Sequence, residues 1–366
     1  MALKIGFIGC GFVALHKHFP GMSAEEGVEL AAFCDIVPEK AERAAKDFGA
    51  PGAKVYVDYK ELLADASIDA VHVLTPNVSH AEITVAALEA GKHVLCEKPM
   101  AATTADAKKM LDARDRTGKL LTIGYQYRHD HENCIAKQLI DDGWLGEVYY
   151  AEASYIRRRG VPTWGVFTDK AQQGGGALID IATHALDLAL FLMGNYEVDH
   201  VAGTSFEKLG KSLKPDQQGQ IGGNGVPIPW DNNTFEVEEA AVGYVKMKNG
   251  AVIHLKSSWA INIAETPALI MLCGTKGGLD TKDNRVRLNH VVSGQQAITM
   301  VGDKITPYVP GYSSGPPQPT KEAQIWVNAL KGKGELFVTA DQAFVVTRVL
   351  DAIYESSKTG KAIYFS

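Results

Sequence analysis

Cysteine is sparse in this chain: Cys10, Cys34, Cys96, Cys134 and Cys273 are widely scattered and include no C-x-x-C pair. That spacing offers neither a zinc site nor a disulfide framework, and it fits a reducing, cytoplasmic compartment. Basic runs are short as well. The densest is Arg157-Arg158-Arg159, and the formal charge of −6 argues against a nucleic-acid or anionic-membrane partner. No stretch approaches the roughly eighteen uninterrupted apolar residues of a membrane span. A long apolar leader and a twin-arginine signal are also lacking, and a strand-like run begins at Leu3. What remains is a soluble, globular composition, 46% hydrophobic and 22% charged, in a length of 366 residues that suits two domains.

The N-terminal third alternates strands with helices. Lys4 to Gly9 reads as a short buried strand, followed by Gly9-Cys10-Gly11-Phe12-Val13-Ala14 and a helix-compatible run toward Met22. This is G-x-G-x-x-G/A with Ala14 in the third place: the first glycine turns the chain, and the second lets a pyrophosphate approach the helix N-terminus. A second apolar strand, Val28 to Cys34, ends at Asp35, where an acid that binds the adenosine ribose is expected. Asp35 would accept hydrogen bonds from ribose hydroxyls and repel a 2′-phosphate, and Ile36 and Val37 supply no cation for one. The pattern favours NAD over NADP. The alternation continues through Ala70 to Leu74, a break at Thr75-Pro76-Asn77, a helix from Val78 to Ala90, a strand from His93 to Cys96 and a further helix and strand to Ile123. Such alternation implies a parallel sheet covered on both faces, with ligands beyond the carboxyl ends of its strands. Gly9, Gly11, Asp35, Thr75-Pro76-Asn77 and Glu97-Lys98-Pro99 fall along that edge. Lys98 is either a crevice lysine whose basicity desolvation lowers or a solvated loop lysine.

After Tyr125 the character changes. A helix from His131 to Asp142 leads to longer strands: Gly146 to Arg157, Val198 to Phe206, Glu236 to Met247, Ala251 to Ala260 and Ala268 to Cys273. Lys248-Asn249-Gly250 reads as a hairpin turn, so this sheet is expected to be large, open and mostly antiparallel. Its exposed face requires a partner, and a homo-oligomer (dimer, tetramer or higher) is expected. In the middle lies Gly174-Gly175-Gly176 followed by an apolar helical run to Met193 carrying Asp180 and His184. Four residues apart on a helix, the two share a face. Alone, they are as compatible with a capping acid and a core histidine as with a catalytic floor. Tyr125, Gln126, Arg128, Tyr155, Arg157 and Trp164 could supply the aromatic faces and bidentate donors that a sugar site uses, or serve core and surface. No metal site is expected, because the consecutive residues His129-Asp130-His131-Glu132 diverge on any regular element. Leu209 to Asn233, rich in Gly, Gln and Pro, reads as an oligomer arm, a lid or a disordered insertion. Gly302 to Pro319 is proline-rich and precedes helices from Thr320 to Lys331 and from Ala340 to Lys358.

Gly9-Cys10-Gly11, Glu97-Lys98-Pro99 and Asp180 with His184 after the glycines, at this spacing over essentially the whole chain, resemble the glucose–fructose oxidoreductase / inositol dehydrogenase / rhizopine-catabolism family. The resemblance implies an α/β Rossmann domain at 1–124 that binds NAD and an α+β domain at 125–366 that binds substrate and mediates oligomerisation, with the last helix packing back toward the first domain. It implies that Gly9, Gly11, Phe12, Val13, Asp35, Thr75, Pro76, Asn77, His80, Glu97 and Lys98 meet the cofactor, with Glu97 on its ribose. It further implies that Lys98 contacts the reacting hydroxyl, that His184 exchanges a proton with it, and that Asp180 positions the substrate. Arg157 to Thr168 resembles a subgroup that oxidises the 3-hydroxyl of glucosides. The expected function is therefore reversible, NAD-dependent oxidation of a secondary ring hydroxyl of a sugar or glycoside. The alternatives are a redox-neutral enzyme that retains NAD and a non-catalytic NAD or sugar sensor.

Overall fold

The structure, a computed structural model, describes residues 2–162, 164–213, 235–282, 285–301 and 318–365. Most of the two irregular segments singled out above, at 209–233 and 302–319, therefore lies outside the described residues. The chain divides into two compact units. The first runs to Gln126 and takes in a later segment ending at Thr347; the second runs from Tyr127 and resumes at Arg348.

In the first unit, β1 (Leu3–Ile8), β2 (Val28–Cys34), β3 (Lys54–Tyr56), β4 (Ala70–Val73), β5 (His93–Cys96) and β6 (Leu121–Ile123) form one sheet in the order β3-β2-β1-β4-β5-β6. Every pairing is parallel. The order reverses between β1 and β4, which opens a ligand crevice beyond their carboxyl ends. All four residues of β4 are buried, as a central strand covered on both faces requires. The crossovers are α1 (Phe19–Ser23), α2 (Pro38–Phe48), α3 (Tyr59–Ala64), α4 (His80–Glu89) and α5 (Thr104–Thr117). Local chemistry sets their ends. Pro38 opens α2, the Asp58 side chain accepts from the Lys60 N–H at the start of α3, and the Thr103 side chain accepts from the Asp106 N–H at the start of α5. Gly118 stops α5 in the left-handed conformation. The expected helix from Val78 instead begins as a 3-10 turn at Asn77–Ser79 before α4.

The second unit holds α6 (His131–Asp141), β7 (Val148–Ile156), α7 (Lys170–Gln173), α8 (Thr183–Met193), β8 (Val198–Phe206), β9 (Ala240–Met247), β10 (Val252–Ser258), β11 (Ile270–Gly274), β12 (Gly278–Asp280), β13 (Val286–Val292), β14 (Gln295–Val301) and β15 (Ile363–Tyr364). The sheet order is β14-β13-β12-β11-β7-β10-β9-β8-β15. Its described pairings are antiparallel except β7 with β10, so the sheet is mixed but mostly antiparallel. Gly250, at φ +95°, turns the β9–β10 hairpin. β9 starts at Ala240 rather than at Glu236, because the Glu238 and Glu239 carboxylates bind main-chain N–H groups elsewhere in this unit. β12 to β15 were not anticipated: β12 has three residues, β15 has two, β14 is exposed along nearly its whole length, and β13 buries only Val286 and Leu288. Lys170–Met193 is long and apolar enough in composition to cross a membrane, but 94% of its most apolar window is buried inside the protein, which makes it a core helix.

Of the two remaining helices, α9 (Gln318–Leu330) belongs with the first unit. It brings Ala323, Trp326 and Val327 into a core with Ile5, Phe7, Phe19 and Phe33. There the Phe7 ring meets Phe19 edge-on at 5.0 Å and stacks on Phe33 at 5.6 Å. The other, α10 (Ala340–Thr359), is divided between the units at Thr347.

Candidate active site

The carboxyl edge of the first sheet carries the glycine loop. Gly9 has φ +98°, and a Cβ there would stand 2.6 Å from the Leu74 carbonyl oxygen, so this position tolerates only glycine. Gly11 differs: a Cβ there would meet no protein atom within 4 Å. Its glycine is thus not demanded by the protein's own packing, and the open space over the start of the following helix fits a pyrophosphate. Ala14 is fully buried, as the third position of the fingerprint requires. Phe12 is 42% exposed and stacks on His16, while Val13 is half-buried against the core. Asp35 is held on both sides of its carboxylate, Oδ2 accepting from the Cys10 N–H and Oδ1 from the Val37 N–H, each at 2.9 Å. These residues fit a dinucleotide, with Gly11 facing the phosphates and Asp35 the ribose.

Next along the edge, His80 fastens two loops together. Its Nε2 lies 2.8 Å from the Thr75 carbonyl oxygen and its Nδ1 2.8 Å from that of Pro99. His80 is fully buried, so it shapes the Thr75-Pro76-Asn77 turn rather than presenting itself to a ligand. Burial pushes its imidazole below the ordinary value, while the two carbonyls favour the protonated ring. Asn77 is buried, Pro76 exposed and Thr75 between them, with its hydroxyl accepting from Ser79 at 2.7 Å.

Glu97, expected at the cofactor ribose, is bound within the protein by three donors. Its Oε1 accepts from Lys17 Nζ at 2.7 Å and from His18 Nε2 at 2.8 Å, and Oε2 accepts from the Lys98 N–H at 3.1 Å. Burial would raise this carboxyl, but Lys17 and His18 outweigh it and hold the group well below the usual carboxylate range. Lys17 also pairs with Glu322 of α9 at 2.9 Å. His18 Nδ1 lies 3.0 Å from His72 Nδ1. One proton is shared between these two ring nitrogens, and which ring donates depends on the tautomers of the pair. Glu97 therefore anchors the backbone of Lys98 from a buried polar network. Sequence reading missed Lys17, His18, His72 and Glu322; the available signal was charged and imidazole groups inside otherwise apolar elements. Lys98 itself is half-buried, as is Gln126, and Tyr125 is buried.

In the second unit, Asp180 and His184 are 9% and 7% exposed. Asp180 stands in a π-helical turn, Leu178–Ala182, and His184 in the first turn of the α8 that continues it. Their four-residue spacing thus crosses a π-turn, a local distortion concentrated at functional sites. Asp180 Oδ2 accepts from Trp259 Nε1 at 3.0 Å. The His184 ring lies 4.9 Å from the Tyr127 ring and 6.3 Å from that of Tyr155. The two tyrosine hydroxyls are 2.9 Å apart, and the Arg157 guanidinium sits 5.3 Å over Tyr155 while donating to the Gly160 carbonyl. Burial, followed by the neighbouring Tyr155, pushes the Tyr127 phenol far above its ordinary value, so Tyr127 keeps its hydroxyl proton at neutral pH. The structure places Tyr155 and Tyr127 near His184, Arg157 over Tyr155, and Trp259 on Asp180.

Arg128 is a correction. Expected as a hydroxyl donor for substrate, it is fully buried, with Nε and Nη2 on Asp187 at 2.9 and 2.5 Å and its guanidinium 5.1 Å over Phe191. The 3-10 turn Gln126–His129 rotates successive side chains by about a third of a turn. Its neighbour Tyr127 lies instead against the His184 ring. Trp164 packs edge-on against Phe167 at 5.6 Å.

Residues 3–125 match the family profile described as "Oxidoreductase family, NAD-binding Rossmann fold", and residues 137–365 its partner, "Oxidoreductase family, C-terminal alpha/beta domain". The chain is 32% identical to D-glucoside 3-dehydrogenase of Escherichia coli K12, across 99% of this chain and 97% of that one. An oxidoreductase domain protein from Kribbella flavida superposes with a TM-score of 0.82 at 27% identity, covering 100% and 99% of the two chains. A levoglucosan dehydrogenase solved with NADH and levoglucosan superposes with a TM-score of 0.83, again over 100% and 99%, and at 23% identity it speaks for the fold.

Proposed function

Because the chain belongs to the glucose–fructose oxidoreductase / inositol dehydrogenase / rhizopine-catabolism family of NAD-binding oxidoreductases, we propose that it oxidises a secondary ring hydroxyl of a sugar or glycoside reversibly, with the 3-hydroxyl of a glucoside as the favoured position. One observation carries the reading: a buried histidine is set among tyrosine rings one helical turn from a carboxylate that a tryptophan holds in place. Aromatic faces suit sugar C–H groups, and the phenols and Arg157 suit hydroxyls. The near full-length likeness to a glucoside 3-dehydrogenase supports the choice of substrate.

In this reading NAD, when bound, supplies the hydride acceptor at the oxidised carbon. His184 takes the hydroxyl proton as the C–H hydrogen leaves with its electron pair. Lys98, its backbone anchored by Glu97, stabilises the negative charge that develops on the substrate oxygen. Asp180 orients the sugar. Gly11 and Asp35 hold the phosphates and the ribose. Incubation with NAD and a panel of glucosides, followed by mass spectrometry, should reveal a 3-keto product two mass units lighter than the substrate. A panel that yields no oxidised product and no NADH removes the proposal.

The same proposal includes a homo-oligomer and a cytoplasmic location. Tyr149, Val242 and Tyr364 on the second sheet are 54%, 42% and 72% exposed. Beside them runs a cross-strand ladder of rings, Tyr150–His254–Tyr244–His200–Tyr364, with centroids 5.0–6.0 Å apart. This face of partly exposed rings, which also carries the Lys256–Glu152 ion pair, is suited to a second copy. Light scattering at micromolar concentration tests it, and a monomer mass would sink it. All five cysteines are free thiols and four are buried, which supports a reducing compartment.

A further inference from the structure

The glycine run before the Asp180 helix is shaped by two residues distant in the chain, Glu238 and Tyr354. Glu238, 5% exposed, directs its carboxylate at the start of that helix. Oε1 accepts from the Gly176 and Leu178 N–H groups, both at 2.9 Å, and from the Tyr354 hydroxyl at 2.8 Å, while Oε2 accepts from Gly176 at 3.0 Å. The Glu238 main-chain carbonyl takes the Ala177 N–H at 3.1 Å. Helix N-termini leave such N–H groups without partners, and a carboxylate there forms charge-assisted hydrogen bonds along the helix dipole. Here that carboxylate is supplied from about sixty residues away, and Tyr354 comes from α10.

The glycines follow from this arrangement. A Cβ at Gly175 would overlap the Tyr354 hydroxyl, and one at Gly176 would overlap the Glu238 carbonyl oxygen. The Gly176 carbonyl in turn accepts the Asp180 N–H at 2.9 Å, so the anchored residue closes the first turn on Asp180. On the far side of Asp180, the Trp259 N–H is held by the Glu239 carbonyl at 2.8 Å, and its indole binds the carboxylate. Glu238-Glu239 thereby fixes both the start of the helix and the partner of its acid.

We propose that Glu238 and Tyr354 are a positioning pair that sets the register of the Leu178–Met193 helical segment, and with it the placement of Asp180 and His184 for proton transfer. The inference rests on the functional reading above. Displacement of a catalytic group by about 1 Å costs on the order of a hundredfold in rate, so Glu238→Gln, which removes the charge and points an amide at N–H donors, should lower kcat by about ten- to a hundredfold. Tyr354→Phe removes one hydrogen bond and should lower kcat less, by about three- to tenfold. In both, KM for NAD should stay within about twofold, because the pair lies in the other unit from the glycine loop.

The assay measures kcat per NADH-binding molecule, titrated by NADH fluorescence, so that loss of folded protein does not count as loss of catalysis. Gly175→Ala is added in both backgrounds. It should cost less kcat in Tyr354→Phe than in the native chain, since the nearest overlapping atom is gone. Unchanged kcat per competent molecule in Glu238→Gln, or equal costs of Gly175→Ala in both backgrounds, overturns the inference. Should Glu238→Gln fail to fold, Tyr354→Phe and the Gly175 pair decide by the same criteria. His184→Ala serves as the control: if it retains turnover, the functional reading itself fails. An inactive His184→Ala beside a fully active Glu238→Gln removes only the positioning pair.

Discussion

Arg128→Met separates a structural arginine from a substrate-binding one. The guanidinium and the Asp187 carboxylate are 0% and 1% exposed and form a two-point pair at 2.9 and 2.5 Å. Burial pushes the Asp187 carboxyl up and the nearby Arg128 pulls it back only in part, so desolvation dominates at this site. Removing the arginine leaves a buried acid without its counter-charge, at a cost of about 3–5 kcal/mol, or roughly two to three and a half orders of magnitude in the unfolding equilibrium. Arg128→Met/Asp187→Leu removes both charges from a site lined by α8 and should recover most of that loss. Urea unfolding followed by far-UV circular dichroism measures the stabilities, and KM for a turned-over glucoside is taken on the same preparations. The expected result is a large stability loss in the single variant, recovery in the double, and KM within about threefold of the parent in the double. A single variant as stable as the parent, with KM raised tenfold or more, would refute the reasoning and return Arg128 to the substrate.

Other outcomes follow from the same geometry. Lys98→Met and His184→Ala should each abolish turnover, while NADH titration still shows binding by the glycine loop. Asp35→Ser should narrow the preference for NAD over NADP by about ten- to a hundredfold, through loss of a charged acceptor for the ribose; an unchanged ratio of kcat/KM values would remove Asp35 from cofactor selection. Gly9→Ala should lower the unfolding midpoint, because of its φ of +98° and the Leu74 carbonyl, whereas Gly11→Ala should fold normally and bind NAD more weakly. His72 and His93 are both held below the ordinary imidazole value, chiefly by burial. A depressed folded pKa means their contribution is fully present above the unfolded value of about 6.5 and is lost as pH falls below it, by up to about 1.4 kcal/mol per pH unit for each group. Thermal melts from pH 7.5 to 5.5 should show a falling midpoint, and a flat or rising profile would contradict that.

The sequence by itself determined the parallel sheet, the glycine loop and the acid after β2, because each is local: a strand, a turn and a helix start lie within a few residues of one another. Its apolar runs located β2, β5 and β8 to the residue. It also singled out Asp180 and His184, since a four-residue spacing after three glycines is visible in one dimension. Tertiary structure decided what those residues touch. Arg128 and Tyr127 are adjacent in sequence, yet a 3-10 turn buries one on Asp187 and sets the other against His184. Glu97 is bound by Lys17 and His18, about eighty residues away, and Glu238 reaches back about sixty to the helix start. In the fold the glycines at 175 and 176 are clearance for a tyrosine hydroxyl and a carbonyl oxygen, neither of which the sequence places beside them. Hydrogen bonds act over about 3 Å whatever the separation along the chain, so partners brought together by the fold leave no periodic mark in the sequence.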